Sequence, residues 1–394
     1  MKFPLGQNVH DSEDILNMIE TLITGKFTMG EQVSSFEKMF AEYIGIKHAM
    51  MVNSGSSANL IALSVLTNYK CNNRLVPGDE VLVPALCWST SIFPIIQCNL
   101  TPIFVDVNPQ TLNIDLYDLE KKITNKTKAI MLVHVLGNCT DMKKLIDIVT
   151  RYNLILIEDT CESLGSKYND KYLGTFGSIG TYSFYYSHHI TTMEGGMIIC
   201  NDNEHYELMK CLRAHGWSRN LKDEEQIQAQ YPDLDPRFTF VNLGYNVRPM
   251  EIQASMGIGQ LQKLKVKNDN RKINYYNIKR KIESDPRSTF LSFAKESDNA
   301  DIAWFGVTLF LRKDIKLSDY LDYLTTHGVE NRPIITGNII RQPVIKDLYS
   351  DLNALDFPGA EECHFSGLFI GLSCNLMPDS LVEELVDILL SYPS

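Results

Sequence analysis

Leu154-Ile155-Leu156-Ile157-Glu158-Asp159-Thr160-Cys161-Glu162 sets four aliphatic residues in a row directly before two adjacent acids and a third close behind. Such an aliphatic run suits a strand covered on both faces, as in a parallel sheet. The same texture recurs outward from it. Short strands are predicted at His48–Asn53, Glu80–Val83, Pro102–Val107 and Ala129–Val135, alternating with helical periodicity at Phe36–Tyr43, Ser57–Thr67, Ser89–Gln97, Leu116–Ile123 and Asp141–Tyr152. Strands separated by helices of this length argue for an α/β fold with a mostly parallel central sheet. In such open sheets ligands bind beyond the carboxyl ends of the strands, which is where Glu158, Asp159 and Glu162 fall.

After Arg213 the pattern changes. Residues 219–240 are polar and carry Pro232 and Pro236, and are predicted to be irregular. A helix is expected over Arg248–Asn277, then strand at Trp304–Leu311, helix at Leu317–His327, strand at Gly328–Arg332 and a last helix over Asp379–Leu390. The chain is therefore divided into a larger part, 1–250, and a smaller α/β domain, 251–394, with the boundary placed to within about 15 residues.

The 394 residues carry 37 Lys and Arg against 48 Asp and Glu, a net charge of −11. That balance argues against non-specific binding to nucleic acid or anionic membranes, which needs clustered basic groups. Met1 to Asp14 has no apolar core resembling a secretory signal, and no apolar run is long enough to span a bilayer. A cytoplasmic protein is expected. The nine cysteines include no Cys-x-x-Cys pair and read as reduced thiols.

Three motifs carry chemistry. Asn53-Ser54-Gly55-Ser56-Ser57-Ala58-Asn59 joins a strand to a helix. Its small residues and free amides suit a phosphate, or simply a serine-capped turn. The acids after Ile157 suit a protonated ring nitrogen, or helix-start capping; no metal-ligand spacing accompanies them. Ser183-Phe184-Tyr185-Tyr186-Ser187-His188-His189 is expected to end a strand in two histidines on opposite sides, followed by Glu194-Gly195-Gly196 and the strand Met197–Cys200. Gly174, Gly177 and Gly180 imitate a nucleotide loop but precede a strand, which is the wrong context.

Together the motifs resemble the sugar aminotransferase family of pyridoxal-phosphate enzymes, of aspartate aminotransferase (type I) fold. The resemblance runs over nearly the whole chain. It takes in Phe27-Thr28-Met29-Gly30, Pro84-Ala85-Leu86-Cys87-Trp88 and Gly244-Tyr245-Asn246-Val247-Arg248-Pro249. It implies a homodimer with shared active sites. By the same resemblance Asp159 pairs with the cofactor's pyridinium nitrogen, Trp88 stacks on its ring, and Glu162 contacts its 3-hydroxyl or serves as a cap. Gly55, Ser56, Ser57 and Ser183 would hold the phosphate, joined by Asn246 from the neighbouring subunit. Met29, His215, Arg219 and Arg332 fall on the substrate side, the two arginines toward the donor carboxylate or nucleotide phosphates.

One position departs. Most of the family ends the Ser-Phe strand in a lysine bonded to the cofactor; here that position is His188, and no lysine lies between Lys171 and Lys210. The surrounding residues, with Arg213–Asn220 and Arg332–Asn338, are similar to the family's C3 dehydratases of nucleotide sugars. An imidazole cannot form the lysine's covalent bond to the cofactor aldehyde. The resemblance thus implies non-covalent pyridoxal phosphate or pyridoxamine phosphate, with His188 as base near its C4′ carbon. The expected substrate is a nucleotide-linked 4-keto-6-deoxy sugar, GDP-linked and manno-configured or a heptose analogue, that loses its 3-hydroxyl for lipopolysaccharide or capsule synthesis. L-glutamate would restore the amine form. No closely spaced cysteines suggest an iron–sulfur cluster. The alternatives are an aminotransferase without the lysine and an inactive paralogue.

Overall fold

The computed structural model describes residues 1–6 and 9–393. Its strands run in chain order β1 (His48–Val52), β2 (Glu80–Pro84), β3 (Thr101–Val105), β4 (Thr127–Val133), β5 (Ile155–Asp159), two-residue β6 (Lys167–Tyr168) and β7 (Lys171–Tyr172), β8 (Ile179–Ser183) and β9 (Gly196–Cys200). Seven of them form one sheet in the order β1-β9-β8-β5-β4-β2-β3, with β9 alone running against its neighbours. The aliphatic run Leu154–Ile157 leads into β5, at the centre of this sheet. Every residue of β8 and β9 is buried, as a sheet covered on both faces requires.

Helices seal those faces. Gly55–Thr67 is apolar on nearly every side and is buried almost throughout. Met142–Tyr152 covers the opposite face, burying Met142, Leu145 and Ile148. After β9 come helix Asn203–Arg213 and the 34-residue helix Glu251–Ser284, about 50 Å long at the usual rise. A second, antiparallel sheet follows, built from β10 (Leu291–Phe293), β12 (Gly306–Leu311), β13 (Asn331–Pro333) and β14 (Gly367–Gly371) in the order β10-β12-β14-β13. Between β10 and β12, β11 (Ala300–Asp301) joins β6 and β7 in a small ribbon.

Several boundaries differ from the sequence expectation. Residues 219–240 are not wholly irregular, since a helix spans Glu224–Gln230. It buries only Ile227, so it leaves no apolar period to read. The long helix begins at Glu251, not Arg248, because Asn246 is held extended in a bridge to Ala214, and it runs on to Ser284. The strand expected over Gly328–Arg332 lies at Asn331–Pro333 instead.

The start of the long helix is tied to the N-terminal part by one carboxylate. Glu251 is buried and accepts from the amides of Gly30 (2.7 Å), Gln32 (3.0 Å) and Val33 (3.0 Å), so it caps helix Glu31–Ile44 from 220 residues away in sequence, roughly speaking. Removing it would strand three amide donors at once, that of Val33 buried and those of Gly30 and Gln32 half-buried. Glu251→Ala is expected to lower unfolding stability by about 2–4 kcal/mol. A denaturation midpoint equal to that of the parent chain would show that water replaces the cap without loss.

Candidate active site

The carboxyl ends of β4, β5 and β8 and the loops after β1 and β2 open into one cavity of about 580 Å³, closed on its far side by Arg332 and Pro333 of β13 and Phe369 of β14. Gly55, Ser56, Trp88, Asp159, Glu162, Ser183 and His188 all line it. Residues from four separate stretches of the sequence thus meet where the sheet geometry places a ligand.

The pleat of β5 sorts the two adjacent acids. Glu158 points away from the cavity. It is fully buried, pairs with His134 Nε2 at 2.9 Å and accepts from the amides of Gly174, Phe176 and Gly177. Two of the glycines that imitate a nucleotide loop, Gly174 and Gly177, are therefore part of the cradle of a structural carboxylate. Asp159 points into the cavity. Its Oδ2 accepts from Asn59 Nδ2 and Ser91 Oγ, both at 2.8 Å, and its Oδ1 from the Cys161 amide at 3.1 Å. Asn59 is fixed in turn by Thr181 Oγ1, which donates to it at 2.6 Å. Donors on three sides fix its direction. Sequence reasoning missed Asn59 and Ser91 as members of this site. A buried asparagine inside a helix was the one available signal, because that residue type usually prefers caps and turns.

Across the cavity, the first turn of helix Gly55–Thr67 is tuned by Ser54, whose side chain accepts from the Ser57 amide at 3.1 Å and whose carbonyl accepts from Ala58. The amides of Gly55 and Ser56 have no partner among the described residues. Gly55 is packed so closely that a Cβ there would stand 2.6 Å from Ser183 Cβ, so only glycine lets the helix start reach β8. Two free amides, a helix N-terminus and the hydroxyls of Ser56 and Ser183 form a setting for a phosphate. Ser57 does not line the cavity; its hydroxyl lies 3.0 Å from that of Ser54.

The histidines do not end a strand. β8 stops at Ser183, and residues beyond it turn, with the His188 amide donating to Tyr185 O at 3.0 Å. The turn, rather than a pleat, separates the two rings. His189 is buried with its Nε2 2.9 Å from Ala303 O. His188 faces the cavity, its Nδ1 3.2 Å from Ser183 O and its ring edge-on to Phe305 at 5.2 Å. A carbonyl only accepts, so Nδ1 carries the proton and Nε2 keeps a free lone pair. Burial pushes the His188 pKa down to about 4, against weaker upward pulls from the Ser183 carbonyl and Asp159. The ring is neutral near pH 7 and able to accept a proton.

Glu162 shows the opposite shift. Burial, with the Asp159 charge nearby, raises it to about 7, while the Leu136 amide, donating at 2.9 Å, opposes the rise. Trp88 is 57% exposed at the mouth, so it is not a core residue. Arg332, on the rim, is held by Glu330 at 2.8 Å. Met29, His215, Arg219 and Asn246 lie outside this cavity. The last three cluster around the half-buried Trp217, whose ring has the guanidinium groups of Arg219 and Arg248 each 5.3 Å away and His215 close by. Asn246 accepts from Arg248 Nε there at 2.9 Å. No group of three or more His, Cys, Asp or Glu side chains among the described residues is arranged to hold a metal.

An anchored carboxylate, a phosphate cradle, an accessible indole and a neutral imidazole, with no lysine in the lining, fit a flat, cationic, phosphorylated ring held without a covalent bond. Comparison with known proteins agrees. The sequence model of the DegT/DnrJ/EryC1/StrS aminotransferase family matches residues 8–389. The chain belongs to this family. Within it, the chain is 41% identical over 377 residues to GDP-4-keto-6-deoxy-D-mannose 3-dehydratase of Yersinia pseudotuberculosis, covering 94% of each. It is 35% identical over 355 residues to the lipopolysaccharide biosynthesis protein RfbH of Salmonella typhimurium, covering 86% of this chain and 80% of that one. It is also similar to the crystal structure of GDP-4-keto-6-deoxymannose-3-dehydratase with a trapped PLP–glutamate geminal diamine, at a TM-score of 0.91 and 36% identity over 98% of this chain and 100% of the other. The family and type of fold implied by the motifs are both borne out.

The tautomer and burial of His188 give a direct expectation. In the cofactor-free protein, one histidine ring lining the cavity should titrate well below 6.5, near 4, by NMR, and its signal should vanish in His188→Asn. Since the unfolded ring binds its proton at about 6.5, this group makes folding less favourable as pH falls from there toward 4. A His188 value at or above 6.5 would contradict the neutral resting ring.

Proposed function

We propose that this chain removes the 3-hydroxyl of a GDP-linked 4-keto-6-deoxymannose, giving a 4-keto-3,6-dideoxy sugar, with L-glutamate as the amino donor. The observation that carries it is His188, a neutral imidazole facing the cavity where a lysine would otherwise tether the cofactor. The similarity to the Yersinia dehydratase supports the substrate, and the solved structure holding a PLP–glutamate adduct supports cofactor and donor.

When bound, pyridoxamine phosphate supplies an amine for the 4-keto carbon and a ring that accepts the electrons released there. Asp159 keeps the ring nitrogen protonated; its three fixed donors hold it in place before the ring arrives. Gly55, Ser56, Ser57 and Ser183 seat the phosphate, Ser57 by fixing Ser54 at the helix start. Trp88 covers the ring face at the cavity mouth. His188 Nε2 takes the proton from C4′, and the imidazolium so formed hands a proton to the departing 3-hydroxyl. Glu162, near neutrality in its titration, hydrogen-bonds the ring's 3-hydroxyl in either protonation state. Arg332 faces the glutamate carboxylate or the diphosphate, and exchanges Glu330 for that anion.

The working form is a homodimer. Asn246 lies outside the cavity of its own chain and beside exposed apolar residues, Leu243 at 85% exposure among them, as a residue serving a neighbouring subunit would. Arg219, His215 and Met29 then belong to the substrate side across that contact. Residues 1–250 carry the cofactor and 251–394 close over it. No helix of the described residues is long and apolar enough to cross a membrane, and we place the enzyme in the cytoplasm, feeding lipopolysaccharide or capsule synthesis as the RfbH likeness suggests. A heptose analogue remains within the same substrate class.

Incubation with GDP-4-keto-6-deoxymannose, pyridoxal phosphate and L-glutamate should yield a nucleotide sugar lighter by one oxygen, with ammonia and 2-oxoglutarate in equal amounts. A product with an amine in place of the keto oxygen would instead mark an aminotransferase. In His188→Asn, cofactor binding should persist while elimination falls at least ~100-fold; full activity in that variant would remove His188 as the base.

A further inference from the structure

The chain's first residues reach the active site. The amides of Lys2 and Phe3 donate to Gly328 O at 2.9 and 3.0 Å, and the Glu330 amide returns a bond to Phe3 O at 2.8 Å. Phe3 is buried, and pairs with Val329 in a parallel bridge. The Leu5 amide donates to Glu330 Oε2 at 2.9 Å, while Glu330 Oε1 holds Arg332. Pro4 O comes so close to Gly371 that a Cβ there would stand 2.2 Å from it. The Leu5 side chain then lines the cavity beside Phe305, Ile335 and Phe369. Gly6 abuts the histidine-bearing turn: a Cβ on it would lie 3.0 Å from Ser187 Cβ and 3.1 Å from Tyr186 Cε2.

That turn needs an external seat. The hydrogen bonds of Tyr185 and His188, to Ser183 and to each other, are internal to residues 183–188. Just past the turn, His189 Nε2 lies 2.9 Å from Ala303 O; residues 186–188 themselves meet the rest of the protein by packing, with Phe305 against the His188 ring and Gly6 against Ser187 and Tyr186.

We propose that the strap Lys2–Gly6 is a wall of the active site, in which Leu5 closes the apolar side of the sugar pocket and Gly6 sets the position of the Tyr186–Ser187–His188 turn. The inference rests on the dehydratase reading for the nature of the ligand. Leu5 extends the apolar surface of Phe305, Ile335 and Phe369, a surface suited to the methyl group of a 6-deoxy sugar and unsuited to a hydroxymethyl. Gly6 and Leu5 are positioning residues. Gly6 acts through the turn, and a shift of a few tenths of an ångström there displaces Nε2 from the atom it must reach.

The test uses two variants of the full chain with cofactor. Gly6→Ala crowds the turn and should lower kcat for dehydration about tenfold with sugar KM within about twofold. Leu5→Ala opens the wall and should raise sugar KM about fivefold, with a smaller effect on glutamate KM. A third readout needs no turnover: the His188 ring resonance in the cofactor-free protein should move in Gly6→Ala. Kinetic constants of both variants matching the parent would overturn the proposal. So would a loss of kcat in Gly6→Ala that follows melting temperature and cofactor retention while the His188 resonance stays put, for that is a merely structural strap. Should the GDP sugar prove not to be the substrate, an unmoved resonance still refutes the seat, and a moved one upholds it independently of the dehydratase reading.

Discussion

A carboxylate taken out of water must be given hydrogen bonds, and the end of β5 has two of them side by side. The protein satisfies Glu158 and Asp159 with different sets of donors on opposite faces of the sheet. Glu158 consumes three backbone amides and an imidazole, and that demand shapes the loop from Gly174 to Gly177. Asp159 is met by a side-chain amide, a hydroxyl and one backbone amide, which leaves its direction fixed and a lone pair turned to the cavity. The one acid is enclosed by the fold and the other faces the cavity, although they are neighbours in sequence.

The same economy of position governs the histidine. Its ring is held by the backbone of its own turn, and its neutral state follows from partial burial against Phe305. A base with a low resting pKa is a weak proton acceptor in water, and in the proposed reaction the nearby Asp159 charge would help to stabilise the imidazolium. Its environment therefore favours the neutral ring at rest. Glu162, shifted the other way by similar burial, shows that the cavity penalises charge of either sign unless a partner is built in.

Much of this was legible in the residues. Aliphatic runs such as Ala129–Val135 and Leu154–Ile157 mark covered strands because nothing polar interrupts them, and the motifs at their ends fall where a parallel sheet binds ligands. The split between Glu158 and Asp159 follows from the two-residue period of any strand. What stayed hidden was what depends on distant contacts. Ser91 is an ordinary serine until the fold brings it to Asp159, and Leu5 is an ordinary leucine until the strap is laid across the small sheet. Helix Glu224–Gln230 has one buried residue and so no pattern, and the start of the long helix was misplaced because Asn246 is bound in an extended bridge.

The network around Asp159 also bears on the order in which the molecule comes into being. Two of its three donors lie far off along the chain: Ser91 is 68 residues away, Asn59 is 100 residues away, and Asn59 is itself held by Thr181, 122 residues on. Contacts of such separation close late, after the loops between them have been ordered. A chain still leaving the ribosome, or one stalled with β8 undocked, has the carboxylate but not the geometry around it. The fixed direction of Asp159 is thus a property of the assembled sheet and not of its own strand.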